Sequence, residues 1–139
     1  MDKLFLKRLI AAISVCSLFV IFAIPFKAQA YEASAKDSIV FDKLEHDYGT
    51  IERGADGTCE FIFTNIGESP LILNNVRATC GCTVPEWPRE PIAPGAKGII
   101  KVRYNTNIAG TFNKSVTVFS NAVNKTVILR IKGKVEAKN

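Results

Sequence analysis

Thr58-Cys59-Glu60-Phe61-Ile62-Phe63-Thr64-Asn65 is the stretch that decides the fold. Cys59, Phe61 and Phe63 fall on one side of an extended chain, and Thr58, Glu60, Ile62 and Thr64 fall on the other. That period of two is the mark of a strand with one buried face. Gly57 stands before it and Gly67-Glu68-Ser69-Pro70 follows, so turn residues close both ends. The aromatic side is expected to look into a core.

The same alternation repeats outward from this strand. Upstream, Ile39 to Lys43 and Tyr48 to Ile51 form one run interrupted by the polar bend Glu45-His46-Asp47. Downstream, Leu71 to Val76 leads to Thr79-Cys80-Gly81-Cys82-Thr83. A stretch rich in proline follows, with Pro85, Trp87, Pro88, Pro91 and Pro94. Proline removes a ladder donor, which makes this stretch an edge or a crossing loop. After Pro94-Gly95-Ala96-Lys97-Gly98 come Ile99 to Tyr104, Thr111 to Phe119 and Thr126 to Val135. In the last of these, Val127, Leu129, Ile131 and Val135 share a face. No segment of this region carries a sustained helical stripe. About seven short strands in about a hundred residues predict an all-β, immunoglobulin-like antiparallel β-sandwich over residues 39–135.

The first 30 residues have a different composition. Lys3, Lys7 and Arg8 precede an apolar run from Leu9 to Phe26, and Ala28-Gln29-Ala30 ends it before Tyr31. This is the order of parts in a secretory signal peptide, cut after Ala30. The competing reading is a retained anchor, because a run of about 18 apolar residues is near the shortest that spans a bilayer. Cys16 lies inside the run behind Val15 and reads as filler. Residues 31–38 are small and polar and are expected to be a tether. The whole chain carries a net charge of +5, but Lys3, Lys7, Arg8 and Lys27 would leave with Asp2, so 14 basic side chains face 12 acidic ones, a net +2. No basic cluster interleaved with aromatics remains to track a phosphate backbone, and nucleic acid is not an expected partner. The expected location is periplasmic or extracellular, with no membrane association after cleavage.

Several segments together resemble a known family. They are Asp47-Tyr48-Gly49-Thr50-Ile51, Phe61 to Gly67, Pro70-Leu71-Ile72-Leu73, Cys80-Gly81-Cys82-Thr83, Ile92-Ala93-Pro94-Gly95 and Ile131-Lys132-Gly133-Lys134-Val135. In this order and spacing the chain is similar to the bacterial exported family called domain of unknown function 1573. That family is related in plan to major sperm protein and to cilium and centrosome domains. The resemblance implies fold and export, and no reaction.

Three cysteines, Cys59, Cys80 and Cys82, would remain after cleavage, an odd number for an oxidising compartment. In an immunoglobulin-like order Cys59 and the Cys80-Cys82 pair belong at one end of the sandwich. A bridge from Cys59 to either partner is therefore reasonable, and so is a buried, unbridged Cys59. Alternatively, Cys-Gly-Cys offers two thiolates to a soft metal such as Cu(I), with Cys59 as a third ligand, or closes into a readily reduced disulfide. The motif lacks thioredoxin-type spacing, and no second pair completes a zinc site. His46, flanked by Glu45 and Asp47, reads as a solvated turn residue without a metal or catalytic partner. Trp87 in its stiff proline-rich setting is the candidate for contact with a partner, or else covers the sandwich edge. The expected function is that of an exported, non-catalytic binding or structural module. It needs no cofactor and acts on a protein or cell-envelope partner. A small thiol-redox or Cu(I)-handling protein is the alternative.

Overall fold

The computed structural model describes residues 37–137. The signal segment expected over 1–30 and most of the tether expected over 31–38 lie outside the described residues. Eight strands make up the described region. They are β1 (Ile39–Phe41), β2 (Glu45–Glu52), β3 (Thr58–Asn65), β4 (Leu73–Ala78), β5 (Thr83–Glu86), β6 (Lys97–Tyr104), β7 (Gly110–Ser120) and β8 (Thr126–Glu136). One sheet has the order β1-β3-β6-β5 and the other β2-β8-β7-β4. The protein is an immunoglobulin-like sandwich, as the alternation predicts.

Between the sheets lies the core. Phe61 and Phe63 are fully buried, with Cys59 beside them at 5% exposure. Ile100, Val102 and Tyr104 extend this layer from the neighbouring β6. From the second sheet come Val116, Val118, Leu129 and Ile131, all but sealed from solvent. Tyr104 stacks on Phe112 across the sandwich with ring centroids 3.8 Å apart. Burying a single large apolar side chain contributes roughly 1.5–3 kcal/mol, so this interior dominates the fold's stability. Gly98 is required here. Its cross-strand neighbour is Phe63, whose ring occupies the space that a Cβ on residue 98 would take.

Two details depart from the expectation. The first run of the domain is two strands on two sheets: β1 pairs with β3, Asp42 to Leu44 carry the chain across, and β2 runs parallel to β8. The bend therefore falls before Glu45, and His46 sits inside a strand opposite Ile131 rather than in a turn. A register shift between Asp47 and Thr50 accommodates Gly49, whose φ of 62° suits glycine. Division of the first run raises the count from about seven to eight. The proline-rich stretch supplies β5, a short strand containing Pro85 at the edge of its sheet, where proline is expected.

The second departure is at the expected tether. Asp37 is buried, and its Oδ1 accepts hydrogen bonds from the backbone N–H groups of Glu68 and Ser69 at 2.9 and 3.1 Å. Its carbonyl accepts another from Val123 at 2.7 Å. The folded unit therefore includes Asp37 and Ser38.

Candidate functional site

The loop from β4 to β5 crosses from one sheet to the other and carries Cys80-Gly81-Cys82 at its corner. Two strong attachments fix its ends. Thr79 N–H donates to the Ser115 carbonyl at 3.0 Å, and Asn105 N–H donates to the Cys82 carbonyl at 2.8 Å. Within the turn, Thr83 N–H donates to the Cys80 carbonyl at 3.3 Å. This backbone brings the Cys80 and Cys82 sulfurs into bonding contact, with Cα atoms 5.3 Å apart. That separation lies within the range a disulfide spans. Both cysteines are half-buried, and Gly81 between them is exposed.

Close to both sulfurs is the hydroxyl of Thr83, a residue only 3% exposed. Its Oγ1 lies 3.8 Å from Cys80 Sγ and 3.9 Å from Cys82 Sγ. Beside the corner, Gly81, Cys82, Val84, Arg103 and Asn105 line an open recess of about 390 Å³ together with Asp56 and Gly57.

Cys59 does not join the pair. The register places Thr58 opposite Arg103 and Arg103 opposite Val84, so Cys59 is indeed at the same end of the sandwich as Cys82. Across the sheet, however, β6 lies between β3 and β5. Two inter-strand steps amount to about 9–10 Å, beyond the ~7 Å between Cα atoms that a disulfide tolerates. Cys59 is a free, buried cysteine, and the expected bridge to Cys80 or Cys82 is not made. Burial pushes its thiol pKa up, while the neighbouring Tyr48 hydroxyl acts in the opposite direction. The three cysteines therefore do not converge on one metal. Among the described residues no group of three or more His, Cys, Asp or Glu side chains is placed to hold a metal ion.

Trp87 lies half-buried against the core cluster, with its Nε1 buried and without a hydrogen-bond partner. The Arg89 guanidinium sits over the ring at 3.7 Å from its centroid. One face of the indole is thus occupied by a cation and the ring helps close the sandwich. His46 takes a contact from Lys43 Nζ at 3.0 Å and packs edge-on against Tyr48. Desolvation first, and then Lys43, hold its imidazole below the usual histidine range, with Asp47 opposing.

On the opposite side of the sandwich is a second feature, the seam between β1 and β8. β2 pairs with β8 only from Arg130 onward, so residues 126–129 are paired on their β7 side alone. Arg130 N–H donates to the Leu44 carbonyl, and by strand alternation the peptide groups of Ile128 face the same, open side. Across the gap, the Asn124 side chain takes up both the N–H and the C=O of Ile39 at 3.0 and 2.8 Å. Alternation turns the peptide groups of Phe41 toward the same gap. Val40, Phe41, Leu44, Val127 and Ile128 line this groove of about 570 Å³. Val40, Leu44 and Ile128 are 45–53% exposed.

With this geometry in view, the profile of the family described as "Protein of unknown function (DUF1573)" matches residues 39–135. The chain belongs to the DUF1573 family. No curated protein matches it. Among solved structures, the DUF1573 domain is similar to a protein of unknown function from Porphyromonas gingivalis W83, at TM-score 0.64 and 15% identity. That match covers 76% of this chain and 51% of the other, so the domain spans about half the length of that relative. The ASH/PapD-like domain 7 of human CEP192 matches at TM-score 0.64 and 7% identity, covering 84% and 98%. The CupB2 chaperone of Pseudomonas aeruginosa matches at TM-score 0.51 and 5% identity, covering 69% and 55%. The VesB protease of Vibrio cholerae contains the same plan, at TM-score 0.59 and 12% identity, with 71% of this chain and 32% of that one covered. Likeness at these identities establishes the fold and leaves the activity open.

Two parts of the DUF1573 domain escape a reading of motifs. Thr83 is one, since nothing in its residue type marks the hydroxyl close to the sulfurs. The seam is the other. Its one signal is Val127-Ile128-Leu129, where an apolar residue occupies the outward register of a strand that otherwise alternates.

Proposed function

We propose that this DUF1573 domain is an exported, non-catalytic module that binds an extended, apolar segment of another protein along the seam between β1 and β8. The observation that carries this reading is the coincidence of unpaired strand edge and apolar lining at one place. Peptide groups of Phe41 and Ile128 face a groove walled by Val40, Leu44 and Val127. An added strand would supply hydrogen bonds to the edge and alternate side chains to the groove, which is how strand addition combines affinity with specificity. An open edge of this kind otherwise invites unspecific pairing. The shared plan of a bacterial chaperone supports protein as the ligand class. The signal-type segment over residues 1–30 supports export with cleavage before Tyr31.

The test uses the chain from Tyr31 and a set of synthetic peptides of six to eight residues alternating Val or Ile with Thr. Backbone amide resonances of Phe41, Thr126 and Ile128 are expected to shift on titration, and Ile128→Lys is expected to abolish the shifts while the domain stays folded. Shifts that avoid these three amides, or none at millimolar peptide, would remove the seam as the binding surface.

A further inference from the structure

We propose that Cys80 and Cys82 form a thiol–disulfide exchange site that accepts two electrons from a dithiol of another protein, with the Thr83 hydroxyl positioned to hold the departing sulfur. This goes beyond the seam reading and does not depend on it, because the two features lie on opposite lateral sides of the sandwich.

Three observations carry the inference. The first is the contact between the two sulfurs across a single exposed glycine. A bridge that encloses one residue constrains the chain far less than one that closes a long loop. The backbone bonds from Asn105 to the Cys82 carbonyl and from Thr79 to Ser115 hold the corner without it. Opening the bond therefore leaves the strands in place, as an exchange site requires.

The second is Thr83. A disulfide carries no sulfur-bound hydrogen, so between this hydroxyl and the two sulfurs only the hydroxyl can donate, and it lies within reach of both. A donor aimed at a developing thiolate stabilises the leaving group, and a better leaving group accelerates exchange. The third is access. Cys82 lines the open recess, whose wall also carries Arg103 and Asp56, so an incoming thiolate can reach Cys82 from solvent. Cys59, buried two strands away, takes no part.

The chemistry balances as follows. A thiolate of the partner attacks Cys82 Sγ, the Cys80–Cys82 bond breaks, and its electron pair goes to Cys80 Sγ, which the Thr83 hydroxyl stabilises and which then takes a proton from water. The partner's second thiolate attacks its own sulfur in the mixed disulfide and expels Cys82 as thiolate, which is protonated in turn. The pair gains two electrons and two protons, and the partner dithiol becomes a disulfide.

The experiment uses the chain from Tyr31, with dithiothreitol as the dithiol probe and glutathione as the monothiol probe. In native buffer, dithiothreitol is expected to expose two alkylatable thiols, mapped to Cys80 and Cys82, with the circular dichroism unchanged and Cys59 unlabelled. Treated with oxidised glutathione, Cys80→Ser is expected to accumulate a stable mixed disulfide between Cys82 and one glutathione, with the other glutathione released as its thiol. Thr83→Val is expected to slow the dithiothreitol reaction about ten-fold, roughly the effect of losing one hydrogen bond, and to move the pH midpoint of Cys80 alkylation upward in the reduced protein. Thr83→Ser restores both. Reduction that proceeds only in denaturant, or no thiols gained because the pair is already reduced after export, overturns the exchange site. An unchanged rate and pH midpoint in a folded Thr83→Val removes Thr83 from the step.

Discussion

Phe63 and Gly98 face each other so closely that the ring occupies the volume of a missing Cβ. Gly98→Ala is therefore expected to act as an overpacking change, costing about 1–3 kcal/mol in denaturant unfolding. Phe61→Ala and Phe63→Ala should each cost about 3–5 kcal/mol through lost burial and the cavity left behind, while Ile62→Ala on the outward face costs less. Combining Gly98→Ala with Phe63→Leu should cost less than the sum of the two single changes, since the smaller side chain vacates the contested space. Additive losses would show that the two residues do not compete. These inward assignments were legible because alternation is a local property: residues 59, 61 and 63 share a face whatever the rest of the chain does. The pairing of the cysteines was not legible for the opposite reason. It depends on which strand stands between Cys59 and Cys82, and β6 comes from a distant part of the sequence.

At the scale of elements, the ends of the strands are tied by side chains that stand in for missing backbone partners. Asn65 at the end of β3 is 1% exposed, and its amide donates to the Ser69 and Ile92 carbonyls at 2.8 and 2.9 Å and accepts from Gly67 N–H at 2.9 Å. It thereby links the turn after β3 to the segment that leads into β6. Asn65→Ala would strand these groups, and each buried group left unpaired costs about 1–3 kcal/mol. The expected outcome is a loss well above that of the exposed Asn74→Ala, read from urea midpoints at constant m. A loss no larger than that of Asn74→Ala would mean that water replaces the amide. Asp37 performs the same service for the next two N–H groups of this turn. Neither role could be read from sequence, where Asn65-Ile66-Gly67 announces a turn but not its tertiary partners. The split of the first run had the same cause. A chain that changes sheets between Phe41 and Glu45 looks, in one dimension, like one strand with a polar interruption.

For the molecule as a whole, the two lateral seams of the sandwich are closed in different ways, and this decides what each cysteine can do for stability. On the β5 side the Trp87 ring packs against the core, and Leu71 and Ile92 exchange backbone bonds at 2.8–2.9 Å. That side is closed by packing and hydrogen bonds before any sulfur is considered. A bridge from Cys59 would have closed a loop of about 20 residues, worth about 3 kcal/mol through the unfolded state, whereas the same relation gives about 1.5 kcal/mol for the loop of Cys80-Gly81-Cys82. The double variant Cys80→Ser, Cys82→Ser is therefore expected to unfold cooperatively, with a stability loss of about 1.5 kcal/mol or less and a fall in Tm of no more than about 12 °C. A loss of 3 kcal/mol or more would make the pair a structural staple and place the corner's stability in its sulfurs rather than in the Asn105 and Thr79 backbone bonds. Cys59→Ala supplies the comparison. Its cost should come from lost packing at a buried site, unchanged by reducing agent, so that the redox dependence of stability follows Cys80 and Cys82 alone.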